Sequence, residues 1–178
     1  METIFTPSEA AAFVQLPPKR IYKELEYKVI PSVPLAPRLT FAALIYLRAL
    51  KEVNFTFSVD YRVRLYQQLV EALDRQISTL EIAKFFTLHI DAIARELSDI
   101  ITRFKAWEKR LVTEPNIMGG EAVFPNTRLT VRHVGAMLDR GELPEVIRED
   151  YPYLSLEDLE FAHLYVRAYP SVGRPKKH

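Results

Sequence analysis

Cysteine is absent from the chain, which removes disulfides and thiolate-bound metals and fits a reducing compartment. Glycine is scarce, five residues in 178, and no Gly-rich loop of the kind that cradles phosphate occurs. His89, His133, His163 and His178 include no pair at metal-ligand spacing, and no Ser or Thr stands in a nucleophile-elbow context. Carboxylates are plentiful, but they fall at helix starts and beside cations, where solvated charges belong. These absences predict no catalytic residue, no metal and no cofactor, hence a protein that is not an enzyme. No apolar run approaches bilayer length, and Met1-Glu2-Thr3-Ile4-Phe5 lacks a basic segment followed by an apolar core, so a soluble cytoplasmic protein without membrane contact is expected.

A dominant sign of charge is lacking too. The net charge is +1, and residues 1–35 carry four cations and four anions, 36–112 twelve and nine, 113–178 eight and ten. A nucleic-acid binder of this kind has to work through a local face, because no domain of it is strongly basic. What is abundant is apolar: 48% hydrophobic against 26% charged residues provide one good core or two small ones.

Thr6-Pro7-Ser8-Glu9 has the form of a helix start, with Thr6 as cap, Pro7 in the first helical position and Glu9 able to reach back to the cap amide. Two turns later Gln15-Leu16-Pro17 interrupts, and Pro18 opens a second helix. Ile21 and Leu25 share one face of it, and Lys19, Arg20 and Lys23 lie together on another. Tyr27-Lys28-Val29-Ile30 then reads as a strand. A short helix, a tight turn and a second helix with an apolar back and a cationic front is what a helix-turn-helix requires, since the second helix packs by one side and meets phosphates with the other. Candidate DNA contacts are therefore Lys19, Arg20, Tyr22, Lys23 and Lys28, with Arg128 and Arg132 behind them. This opening resembles the winged helix-turn-helix units of the MerR and excisionase type, whose first helix begins Thr-Pro-Ser-Glu-Ala-Ala.

The proline-rich stretch 31–37 predicts an extended connector. After it, Arg38-Leu39-Thr40-Phe41 leads into the apolar helix Ala42 to Leu50, and the same tetrad pattern recurs at 128–131, in both places as a strand turning into a capped helix. Ser58 is placed to cap the next helix, Ser78 to Ile90 reads as one or two strands, and Asp91 is placed to cap a long helix. Ile93, Leu97, Ile100, Ile101, Phe104 and Trp107 form a broad stripe on that helix, suited to a core or to a homodimer seam.

Gly119-Gly120 predicts a hairpin pairing Pro115–Met118 with Ala122–Phe124, followed by a turn at Pro125-Asn126 and a helix capped by Thr130. Gly141 and Pro144 end one helix and start another, and Ser155-Leu156-Glu157-Asp158 is an acidic capping box for the last. The glycine pair, the turn, Thr127-Arg128-Leu129-Thr130-Val131, the Arg140-Gly141 helix end and the run from Leu143 to Ala162 resemble the family catalogued as domain of unknown function 433. The chain departs from the usual pattern at Glu121, Ala122 and Asn126, where Lys, Pro and Gly are typical.

That resemblance implies a small helical domain of helix-turn-helix type and a VapB-like antitoxin, a partner of a PIN-like ribonuclease toxin. It also gives a role to the basic tail: Arg174, Lys176 and Lys177 would enter the toxin's acidic metal site. Together these readings predict a mainly α protein with small β elements (α+β). Its parts are a winged helix-turn-helix at 1–36, a middle helical, dimerising section with a short sheet at 37–112, a three-helix helix-turn-helix-like domain at 113–170 and a flexible basic tail at 171–178. The expected partners are the toxin, operator DNA and a second copy of the chain. A plain transcription regulator without a toxin and a protein-only adaptor are the competing readings.

Overall fold

The computed structural model describes residues 4–31, 37–52, 57–84 and 86–171. It is mainly helical, with eight helices and two small antiparallel sheets among those residues. Packing divides the chain between Ile101 and Thr102 into two units, taken here in turn.

In the first unit, β1 (Ile4–Phe5) leads into α1 (Pro7–Val14), and α2 (Pro18–Glu26) follows after one turn. The Thr6 capping box forms as expected: the Glu9 amide donates to Thr6 Oγ1 at 3.2 Å and the Thr6 amide to Glu9 Oε2 at 2.8 Å. β1 pairs with β2 (Leu39–Thr40), which runs directly into α3 (Phe41–Glu52) as Thr40 Oγ1 accepts from the Ala43 amide at 3.3 Å. Ala43 to Leu47 are fully buried, and α4 (Val59–Asp74), capped by Ser58, lays Leu65, Tyr66 and Leu69 in the same core. β3 (Thr79–Ala83) and β4 (Phe86–His89) form the second antiparallel sheet. α5 (Ile90–Glu108) begins two residues earlier than a cap at Asp91 would place it. Asp91 lies inside its first turn instead of capping it, with its carboxylate accepting from Arg95 Nη2 at 3.0 Å.

The expected strand at Tyr27–Ile30 does not form, so the helix pair carries no wing there. These residues instead close the end of α2. The Val29 amide donates to Glu24 O and the Lys28 amide to Leu25 O, each at 3.0 Å, with Lys28 at φ 55°. This is a Schellman closure, and it turns Val29 and Ile30 under the helix as buried core residues. α1 ends in the same way at Gln15 (φ 55°) and α4 at Gln76 (φ 57°). Three helix ends thus place non-glycine residues in the left-handed region, which costs about 1–2 kcal/mol each relative to glycine.

The second unit takes the end of α5 together with α6 (Val131–Asp139), α7 (Pro144–Asp150) and α8 (Leu156–Ala168). Its centre is aromatic. Phe104 and Trp107 of α5 meet Phe161 of α8 at 5.7 Å, and Phe124 meets Trp107 at 6.3 Å. α6 and α8 approach so closely that a Cβ at Gly135 would stand 2.5 Å from Ala162 O and from a Val166 methyl. Gly141, at φ 88°, ends α6 with the same Schellman closure, here at no steric cost. Thr130 and the Ser155–Asp158 box cap α6 and α8 as expected.

The expected hairpin around Gly119-Gly120 is replaced by a different arrangement. Met118, Gly119 and Gly120 all have positive φ and form a single 3-10 turn, which does not continue into paired strands. Val123 instead bridges Val112 on one side and Thr130 on the other. The Asn126 turn is present, at φ 60°.

Candidate nucleic-acid interface

The two faces of α2 are chemically separate. Ile21 and Glu24 are buried, while Lys19, Tyr22, Lys23 and Glu26 project from the opposite side into solvent. Tyr22 is 51% exposed, a large apolar ring with a hydroxyl tip and no covering residue described. Lys23 Nζ lies 5.6 Å from the ring of Tyr27 at the end of the helix, and Lys28 is exposed just beyond it. Four of the five expected DNA contacts, Lys19, Tyr22, Lys23 and Lys28, are therefore accessible along α2 and its C-terminal turn.

Arg20 is the exception. Its Nε lies 3.5 Å from Glu24 Oε1, so its guanidinium turns toward the flank of the helix and is half-buried. Arg128 is exposed, and Arg132 rests over the Tyr165 ring and donates to Ser171 Oγ at 3.2 Å. Arg174, Lys176 and Lys177 lie outside the described residues.

Periodicity alone does not reveal what holds α2 in place. Glu24 is completely buried, and its carboxylate accepts from Arg62 Nη1 of α4 and from the Tyr46 hydroxyl of α3 at 3.2 Å. Burial, reinforced by the Glu24 charge, pushes the Tyr46 phenol far above its ordinary value, so Tyr46 remains a donor to Glu24. Arg62 also covers the Tyr27 ring at 5.5 Å, while its own Nε is buried without a partner among the described residues. The cluster fixes α2 to two helices from a later part of the chain. A buried ion pair of this kind serves registry more than stability. The only sequence signal for it is a carboxylate at 24 on the side of α2 that carries Ile21.

On α8 the charges have the opposite disposition. Glu157 accepts from Arg103 Nη2 at 3.0 Å, and Asp158 from Ser155 Oγ at 2.7 Å and Trp107 Nε1 at 2.8 Å. Burial works to raise the Asp158 pKa. Its bonds to the Ser155 hydroxyl and amide and to the Trp107 indole, with the charge of Arg110, outweigh burial and hold it below the ordinary value. The first turn of α8 is thus anionic and internally bonded, as expected for a capping role.

Among the described residues no cluster of His, Cys, Asp or Glu forms a metal site, and no helix is long and apolar enough to cross a membrane. No solved structure matches the chain. An uncharacterized protein, y4eO, of Sinorhizobium fredii (strain NBRC 101917 / NGR234) is 30% identical over 91 residues, a match that covers 51% of this chain and 41% of that protein. The family model described as "Protein of unknown function (DUF433)" matches residues 111–166, which begin just after α5 and run through most of α8.

Proposed function

We propose that the chain is a DNA-binding repressor of the antitoxin type, in which α2 contacts operator DNA and the second unit holds a partner protein, a PIN-like ribonuclease. The observation that carries the DNA reading is the α2 face itself. Lys19, Tyr22, Lys23 and Lys28 are exposed along α2 and the turn that ends it, while the back of the helix is held by the Glu24–Arg62–Tyr46 cluster. A preorganised helix with cations in front meets phosphates without first having to be ordered. Lys28 adds to this, since a cation occupies a left-handed position that glycine would fill at lower cost.

The partner reading is supported by the resemblance of the second unit to antitoxin-associated domains and by the acidic start of α8, which repels phosphate and suits protein contact. The molecule acts as a dimer on a two-fold DNA site, one α2 per half-site.

Two measurements test this. A labelled duplex covering the DNA upstream of the chain's own coding sequence should bind more tightly than a scrambled duplex, with affinity falling as salt rises; equal binding to both sinks the repressor reading. Co-expression with the product of the adjacent gene should give a complex in which ribonuclease activity is suppressed. Absence of a complex and of suppression sinks the antitoxin reading.

A further inference from the structure

α2 carries one charge that phosphate contact leaves unexplained. Glu26 is the last residue of the helix and is exposed on the same side as Lys19, Tyr22 and Lys23. The acids at the start of α8 are accounted for by the Ser155 capping box and by Arg103. Glu26 has no such account. It stands at the C-terminal end of its helix, where the dipole is itself negative and disfavours a carboxylate. Among the described residues no hydrogen bond or ion pair reaches it: on the same helix Arg20 pairs with Glu24, and Lys23 lies beside the Tyr27 ring.

Its place on the helix is specific. With about 3.6 residues per turn, Glu26 points about 160° away from Glu24 and about 140° away from Ile21, the two buried residues of α2. Tyr22 lies about 40° to one side of it and Lys23 about 60° to the other. Glu26 therefore runs along the midline of the exposed face, with a hydroxyl and a cation on its flanks. A helix laid in the major groove turns its midline to the base edges and its flanks to the two backbones. A carboxylate among phosphates is repelled, but on the midline it meets bases, whose exocyclic amino groups can donate to it. Cytosine N4 is the better match. Adenine N6 stands beside the N7 acceptor, which repels the second carboxylate oxygen.

We propose that Glu26 is a specificity-determining residue of α2, accepting a hydrogen bond from the N4 amino group of one cytosine in each half-site. The proposal rests on α2 lying in the major groove and adds sequence choice to the phosphate contacts of the lysines. Lys19 shares the midline at the other end of α2, where its long, flexible stem carries the ammonium out to a phosphate. Glu26 selects partly by repulsion, because it weakens binding to every duplex that offers it no amino group.

The test uses the full chain, a library of random-sequence duplexes and sequencing of the bound fraction. The wild type should enrich cytosine at one fixed position of each half-site, and any other base there should cost about tenfold or more in affinity. Glu26→Gln should turn the preference at that position alone to adenine, since a carboxamide matches N6 and N7 together. Glu26→Ala should lose the preference there, keep it elsewhere, and bind a scrambled duplex more tightly than the wild type does. Glu26 is exposed, so these variants keep the fold, and thermal melts no lower than the wild type's verify it. The same consensus from wild type, Glu26→Gln and Glu26→Ala overturns the proposal while leaving DNA contact by α2 in place. A Glu26-dependent position at which the wild type prefers a base other than cytosine overturns it too. If the wild type binds no duplex, the repressor reading and this proposal fall together.

Discussion

Each unit contains a short helix pair that ends in a helix of exposed charge, and the two differ in where the carboxylates go. α2 buries its carboxylate, Glu24, against Arg62 and Tyr46 and leaves Lys19 and Lys23 in solvent. α8 keeps Glu157 and Asp158 in its first turn, bonded to Arg103, Ser155 and Trp107. A helix-turn-helix outline therefore does not identify the element that meets DNA. The distribution of charge between buried and solvent faces does, and by that criterion the first unit is the candidate reader and the second the candidate protein platform.

The largest effect expected from separating the two follows from Glu24→Ala. Arg62 would be left buried and uncompensated, costing about 3–5 kcal/mol. The helical melt of the first unit should fall steeply while Trp107 emission, which reports only the second, keeps its own transition. Coincident loss of both signals would contradict independent units. Replacing the pair with apolar residues, Glu24→Leu with Arg62→Met, should recover much of the stability.

Gly135→Ala is the counterpart in the second unit. The added methyl meets Ala162 O at 2.5 Å, so a loss of about 1–3 kcal/mol is expected, read as an earlier Trp107 transition with DNA affinity retained. Ser155→Ala should cost about 1 kcal/mol by removing the α8 cap. The same box gives a pH dependence. Asp158 has a folded pKa below its ordinary 3.8, so its contribution is present above that value and lost as pH falls through the lower folded one. Acid titration of Trp107 emission should show this loss in the wild type and not in Asp158→Asn.

The smallest effect is the most discriminating. Lys28→Gly should stabilise the first unit by about 0.5–1 kcal/mol, the left-handed relief less the flexibility added to the unfolded chain. It should also weaken DNA binding. A variant that gains stability and keeps full affinity removes Lys28 from the interface.

Much of this architecture is legible in the sequence where local chemistry decides it. The caps at Thr6, Ser58, Thr130 and Ser155 are read from side chains that bond within three residues, and the Arg-Leu-Thr-apolar tetrads at 38 and 128 both become an extended residue followed by a capped helix. The errors fall where tertiary packing decides. Tyr27–Ile30 has strand composition, yet its apolar residues are needed under α2, and the helix end that puts them there uses Lys28 where a glycine would be the signal. The pairing partner of Val123 is Val112, eleven residues away, which no turn rule selects. At the candidate site, the exposed cations follow from helical spacing. Arg20's turn toward Glu24 and the link from Glu24 to Arg62 do not, because residues 24 and 62 are brought together by the fold alone.

The most direct measurement is the salt dependence of operator affinity for the wild type and for Lys19→Ala with Lys23→Ala, with Glu157→Gln as the α8 control. If α2 meets the phosphate backbone through both lysines, the double variant binds more weakly and its slope of log affinity against log salt becomes shallower by about two, near 0.9 per lost phosphate contact, while Glu157→Gln leaves the slope unchanged. A double variant with the wild-type affinity and slope, or a slope that responds to Glu157→Gln instead, contradicts DNA contact by α2.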